Sequence, residues 1–191
     1  MTQALINVLK ADPMITWTNP ADITFGAALG ATQLNAGANV AGSFAYSPMS
    51  GTVLNAGASQ TLDVTFTPTD TGNYNVVMAQ ALINVLKADP MITWANPADI
   101  TSGTALSATQ LNAGANVDGG FVYSPVSGTV LGVGNSQTLD ATFTPDDTDN
   151  YNVVMAQALI NVLAPPSDTQ VSLAPSNNLV ITDVASGGKN D

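Results

Sequence analysis

The stretch "TPTDTGNYNVV" at 67–77 returns as "TPDDTDNYNVV" at 144–154, an interval of 77 positions. Working outward, "ADPMITW" opens at 11 and again at 88, and "QALINVL" opens at 3, 80 and 157. Residues 11–87 align with 88–164 without a gap. Fifteen positions differ, so 77 − 15 = 62 are identical. The changes include Thr18/Ala95, Ala41/Asp118 and Gly72/Asp149. A unit of this length is too long for the common helical repeats and long enough to enclose its own core. The sequence therefore predicts two domains in tandem, 11–87 and 88–164. Their boundary falls near "LKADP" (86–90), and no Gly/Ser spacer separates them.

Both edges of the array are irregular. Residues 1–10 read as the orphan terminal strand of a preceding repeat, because "QALINVL" stands there without a body. Residues 165–191 begin no third copy and read as a tail. One strand is expected at 177–183 and disorder elsewhere. Both edges suggest a segment of a longer chain. The N-terminus lacks a basic region and a small-residue cleavage site, so no signal peptide is expected within the chain itself.

Composition narrows the chemistry. Charged residues make up 9% of 191, where about a quarter is typical of soluble domains. All 14 acidic residues are Asp, and the cations are Lys10, Lys87 and Lys189, giving a net charge of −11. Such a chain repels phosphate backbones and has no Arg to fork onto a base, which argues against nucleic-acid binding. No apolar run is long enough to span a bilayer, so membrane insertion is not expected. Without Cys there is no disulfide and no thiolate chemistry.

Alternation of apolar and polar residues marks the strands. Thr32, Leu34, Ala36, Ala38 and Val40 share one parity, as do Phe44 and Tyr46, and as do Leu62, Val64 and Phe66. Period-2 runs separated by "TNPAD", "NVAGS", "SPMSG" and "NAGAS" predict short strands with one buried face. Tyr74, Val76 and Met78 share one parity while Ala81, Ile83 and Val85 share the other. That switch predicts a bulge, bend or tight hairpin at Ala79-Gln80. Short strands at close spacing without helical periodicity predict an all-β chain of antiparallel β-sandwiches.

"DTGNY", Asp70 to Tyr74, resembles the Asp-x-Gly-x-Tyr corner of immunoglobulin-like domains, where the Tyr hydroxyl bonds back to nearby backbone. The second copy keeps Asp147 and Tyr151 but places Asp149 at the Gly position. The whole unit, through "ITWANPADIT", "GTALSATQLNA", "GTVLNAG", "QTLDVTFTPTDTGNYN" and "INVLKADP", resembles the bacterial immunoglobulin-like repeats of large secreted and cell-surface proteins. The resemblance covers about 11–164. It implies two tandem immunoglobulin-like sandwiches serving as a structural stalk or spacer in an adhesin-like protein, secreted or at the cell surface.

Candidate sites are few. With no His, Cys, Arg or Glu, and no paired carboxylates in a recognisable cleft motif, no catalytic residues are assigned and no enzyme is expected. Asp146, Asp147, Asp149 and Asn150 fall within five residues and could offer oxygen ligands to calcium. The first copy keeps only Asp70 and Asn73, which favours a polar turn held by its own backbone bonds. "GGKND" at the C-terminus resembles a fragment of a calcium-binding nonapeptide. Trp17 and Trp94 read as packing residues, with sugar stacking as the other use for such rings. Phe25 has Ser102 as its twin, so it reads as a surface residue or a contact for residues 2–9. The partners expected are neighbouring repeats of the same chain. Residues 2–9 could also self-associate by pairing onto an exposed edge. The alternative role is a glycan- or protein-binding module.

Overall fold

The computed structural model describes residues 3–166, 168–173 and 179–184. Among them the chain is all-β, with no helix, and it forms two similar β-sandwich-like halves. The first copy supplies β1 (Ile15–Thr16), β2 (Ile23–Thr24), β3 (Gly37–Ala38), β4 (Gly42–Ser47), β5 (Gly57–Pro68) and β6 (Val77–Leu86). The second supplies β7 (Ile92–Thr93), β8 (Ile100–Thr101), β9 (Gly114–Ala115), β10 (Gly119–Ser124), β11 (Gly134–Pro145) and β12 (Val154–Leu163). Every boundary recurs after 77 residues, as the alignment requires.

In the first copy the main sheet runs β2-β6-β5-β4, and β1 pairs with β3 separately. The long strands form where alternation is cleanest. Leu62, Val64 and Phe66 of β5 are each 0% exposed, with polar residues between them. Leu62 and Ile83 meet Leu29 and Leu34 in one cluster, with Trp17, Tyr46 and Leu54 packed around it. Each fully buried side chain of this size contributes about 1.5–3 kcal/mol. Phe44 leans on Phe66 with ring centroids 4.8 Å apart. At Gly42 a Cβ would collide with the Phe66 ring and lie 2.5 Å from the Thr67 carbonyl oxygen, so only glycine lets β4 approach β5 there. In the second copy Ile100, Leu106, Leu111, Leu139, Ile160 and Val162 form the equivalent core beside Trp94 and Tyr123. Its main sheet runs β10-β11-β12-β8, with β7 paired to β9.

By compactness the chain divides into two units that do not coincide with the copies. One gathers the described residues up to Met91 with Asn116–Gly120 and Thr144–Val154. The other holds Ile92–Ala115, Phe121–Phe143 and the described residues from Met155. The corner segment of the second copy thus belongs to the first compact unit.

Four expectations need correction. The run 32–40 is a strand only at β3. Residues 31–34 form a turn, closed by Leu34 N–H to Gly30 O at 2.9 Å and by the Gln33 side-chain oxygen, which accepts from Gly30 N–H at 3.0 Å. No parity switch occurs in β6. Ala81, Ile83 and Val85 face inward, whereas Val76 and Met78 are 53% and 71% exposed. The irregularity lies on the partner strand instead, where the β5–β6 register shifts between Gly57 and Gln60 and Ser59 adopts φ 52°. Nor are the sheets wholly antiparallel, since β2 joins β6, and β8 joins β12, in parallel. In the tail, the strand expected at 177–183 is β14 (Leu179–Val184). It pairs antiparallel with a second strand, β13 (Asp168–Leu173), where no structure was expected. Residues 177–178 and the "GGKND" motif lie outside the described residues.

Candidate functional site

The corner that opened the sequence is built from short polar residues bonding their own backbone. Asp70 Oδ1 accepts from the Gly72 and Asn73 N–H groups, both at 3.2 Å, and Asp70 Oδ2 accepts from Asn73 Nδ2 at 2.8 Å. Tyr74 N–H donates to Asp70 O at 3.1 Å. The Asn73 amides donating to Asp70, helped by Gly72 and more weakly by Lys10, hold its carboxyl below the ordinary aspartate value. Two further bonds tie the corner to the start of the copy. Ala11 N–H donates to Asn73 O and Asn75 N–H to Ala11 O, each at 2.9 Å. The Asn75 side chain then reaches Asp12 Oδ1 at 2.7 Å.

The second corner repeats this arrangement. Asp147 accepts from Asn150 N–H at 3.2 Å and from Asn150 Nδ2 at 2.9 Å, and Tyr151 N–H donates to Asp147 O at 3.1 Å. Here Asn150 is only 8% exposed, and its Oδ1 accepts from Ala56 N–H at 2.8 Å. Phe25 meets the Tyr151 ring edge-on, with centroids 5.3 Å apart. Phe25 therefore packs on the corner of the second copy. In both corners the closing bonds run through Asp and Asn side chains, and the tyrosines contribute their backbone N–H groups.

Of the candidate calcium ligands, Asp146 and Asp147 border a shallow cleft of about 400 Å³ with Asn116, Asp118 and Tyr151, and Asp149 does not. Asn150 commits its side-chain oxygen to Ala56, and Asp147 is engaged by Asn150. Among the described residues no three carboxylates converge on a common point. The arrangement is that of a hydrogen-bonded turn.

The tryptophans are held as packing residues. Trp17 Nε1 donates to Gln33 O and Trp94 Nε1 to Gln110 O, both at 3.1 Å. Each ring meets a tyrosine edge-on at 5.4 Å, Trp17 on Tyr46 and Trp94 on Tyr123.

Sequence reasoning missed a set of asparagines that clamp strand to loop. Asn39 Oδ1 accepts from Met14 N–H at 2.8 Å, and Asn19 Oδ1 accepts from Leu82 N–H at 2.9 Å. Asn84 bridges Ser59 N–H, at 2.8 Å, to Asp22, at 2.9 Å, and so holds the bulge of β5. Asn161 does the same for Ser136 and Asp99 in the second copy, again at 2.8 and 2.9 Å. Their only sequence signal was recurrence at 77 residues.

Comparison with family models and with curated proteins gives no match for this chain.

Proposed function

We propose that the chain is a non-catalytic spacer: two immunoglobulin-like modules in tandem, serving in the stalk of a secreted or cell-surface protein of the bacterial adhesin type. The observation that carries this reading is the 77-residue unit itself, which folds twice into the same sandwich-like body without a spacer sequence between copies. A spacer needs number and mechanical resistance rather than individual surfaces, and near-identical copies supply both. The polar groups that stand out in the sequence support the same reading. Asp70, Asp147, Asn73 and Asn150 are used in closing turns, and the Asn clamps fasten strands. The location rests on the likeness of the repeat to secreted surface modules.

Pulling the chain from its ends in a single-molecule force experiment tests this. Two separate unfolding steps are expected, each releasing roughly 250 Å of chain for a 77-residue unit at about 3.4 Å per residue. A single step, or extension without resolvable force, would count against a mechanical role. Specific glycan retention by the full chain would favour the binding-module alternative.

A further inference from the structure

Residues 3–9 carry the same seven-residue sequence as 80–86 and 157–163. Those two twins lie inside β6 and β12, each flanked by strands on both sides in its sheet. At 3–9 the same residues join no strand, and Leu5, Ile6, Val8 and Leu9 are 96%, 89%, 80% and 80% exposed. Four large apolar side chains thus stand in water on a segment whose sequence is twice shown to be a strand.

The second copy offers a place for such a strand. β10 is the outer strand of its sheet, so one side of its backbone has no ladder partner there. Its sequence, "GGFVYS", holds neither a charge nor a proline to discourage pairing. Beside it runs a groove of about 350 Å³ walled by Leu111, Phe121, Tyr123 and Val126. Val122 and Val126 are 70% and 62% exposed. The first copy differs at this place, carrying Ala45 for Val122 and Met49 for Val126. It is also tied more tightly, because the Tyr46 hydroxyl accepts from Ala36 N–H at 3.0 Å. Among the described residues Tyr123 makes no counterpart bond to Ala113.

We infer that residues 3–9 of one molecule add as a strand to the free edge of β10 in a second copy of this chain, with Ile6 and Val8, which share one face of such a strand, entering the groove beside Phe121 and Tyr123. Main-chain bonds to the edge supply affinity, and the groove favours the second copy over the first. Neither partner segment carries a charge, so the net charge of −11 does not oppose the contact locally.

The test is sedimentation equilibrium of the full chain from micromolar to millimolar concentration. The average mass should rise with concentration. Ile6→Asp, outside both sandwich halves, should weaken association by about tenfold or more, the effect of roughly 1.4 kcal/mol. Val122→Lys on the edge should do the same, and Ala45→Lys on the first copy should not. Circular dichroism melts report whether each variant still folds. If Val122→Lys does not fold, a synthetic peptide of residues 2–10 takes its place, and it should compete the association away. A monomer at every concentration would overturn the inference. So would association that survives Ile6→Asp or Val122→Lys, or equal loss in Ala45→Lys.

Discussion

The two copies place Leu62 and Leu139 at equivalent positions, and both are 0% exposed. Two residues further along the same strand they part, Val64 in the first and Ala141 in the second, again both buried. The pairing order of the sheets is nonetheless the same. The frame is therefore set by alternation, turn closure and the asparagine clamps, which the copies share. Core residues and edge chemistry vary on top of it, with Val64 against Ala141 in the core and Ala45 against Val122 on the outer strand.

That contrast can be broken first at the shared core. Leu62→Ala and Leu139→Ala should each cost about 2–5 kcal/mol, and calorimetry should show each lowering the stability of its own half. Val64→Ala makes the first copy resemble the second and should cost a smaller part of that. Next comes the close approach at β4. Gly42→Ala forces a methyl against the Phe66 ring and the Thr67 carbonyl, for a loss of about 1–3 kcal/mol in denaturant unfolding. Gly120→Ala on β10, at the position where the first copy carries Ser43, has open space around it and should fall within about 0.5 kcal/mol of wild type. The bulge clamps sharpen the comparison further, because they are common to both copies. Asn84→Ala and Asn161→Ala should each cost about 1 kcal/mol, by near-equal amounts.

The smallest effect concerns pH. The folded state holds the Asp70 carboxyl below its ordinary value, so Asp70 supports folding above that value. That support is lost as pH falls through the lowered folded value. In acid titration of stability below about pH 4, Asp70→Asn should give a flatter acid limb than wild type.

Much of the frame was legible in the sequence, and the reasons are physical. Leu62, Val64 and Phe66 alternate with polar residues on a strand long enough for the pattern to repeat, and they are buried as read. Strands of two residues, such as Ile23–Thr24, carry no period at all, so their parallel pairing with β6 could not be read. Leu34 and Ala36 are buried as their parity suggested, but the Gln33 side chain bonds to Gly30 and curls the chain into a turn. The bulge at Ser59 depends on Asn84, 25 residues away, accepting its N–H. No local pattern announces such a bond. At the corner, the Asp and Asn spacing was readable as a turn. The buried place of Asn150, and its bond to Ala56 some 94 residues earlier, came only from the fold.

The most direct measurement of the central claim is residue-resolved amide hydrogen exchange on the full chain. Two bodies of the same architecture predict strong protection at sites 77 residues apart, at Leu62 with Leu139 and at Ile83 with Ile160, and rapid exchange at residues 3–9 in dilute solution. Protection confined to one member of each pair would contradict two sandwich halves built from one repeated unit.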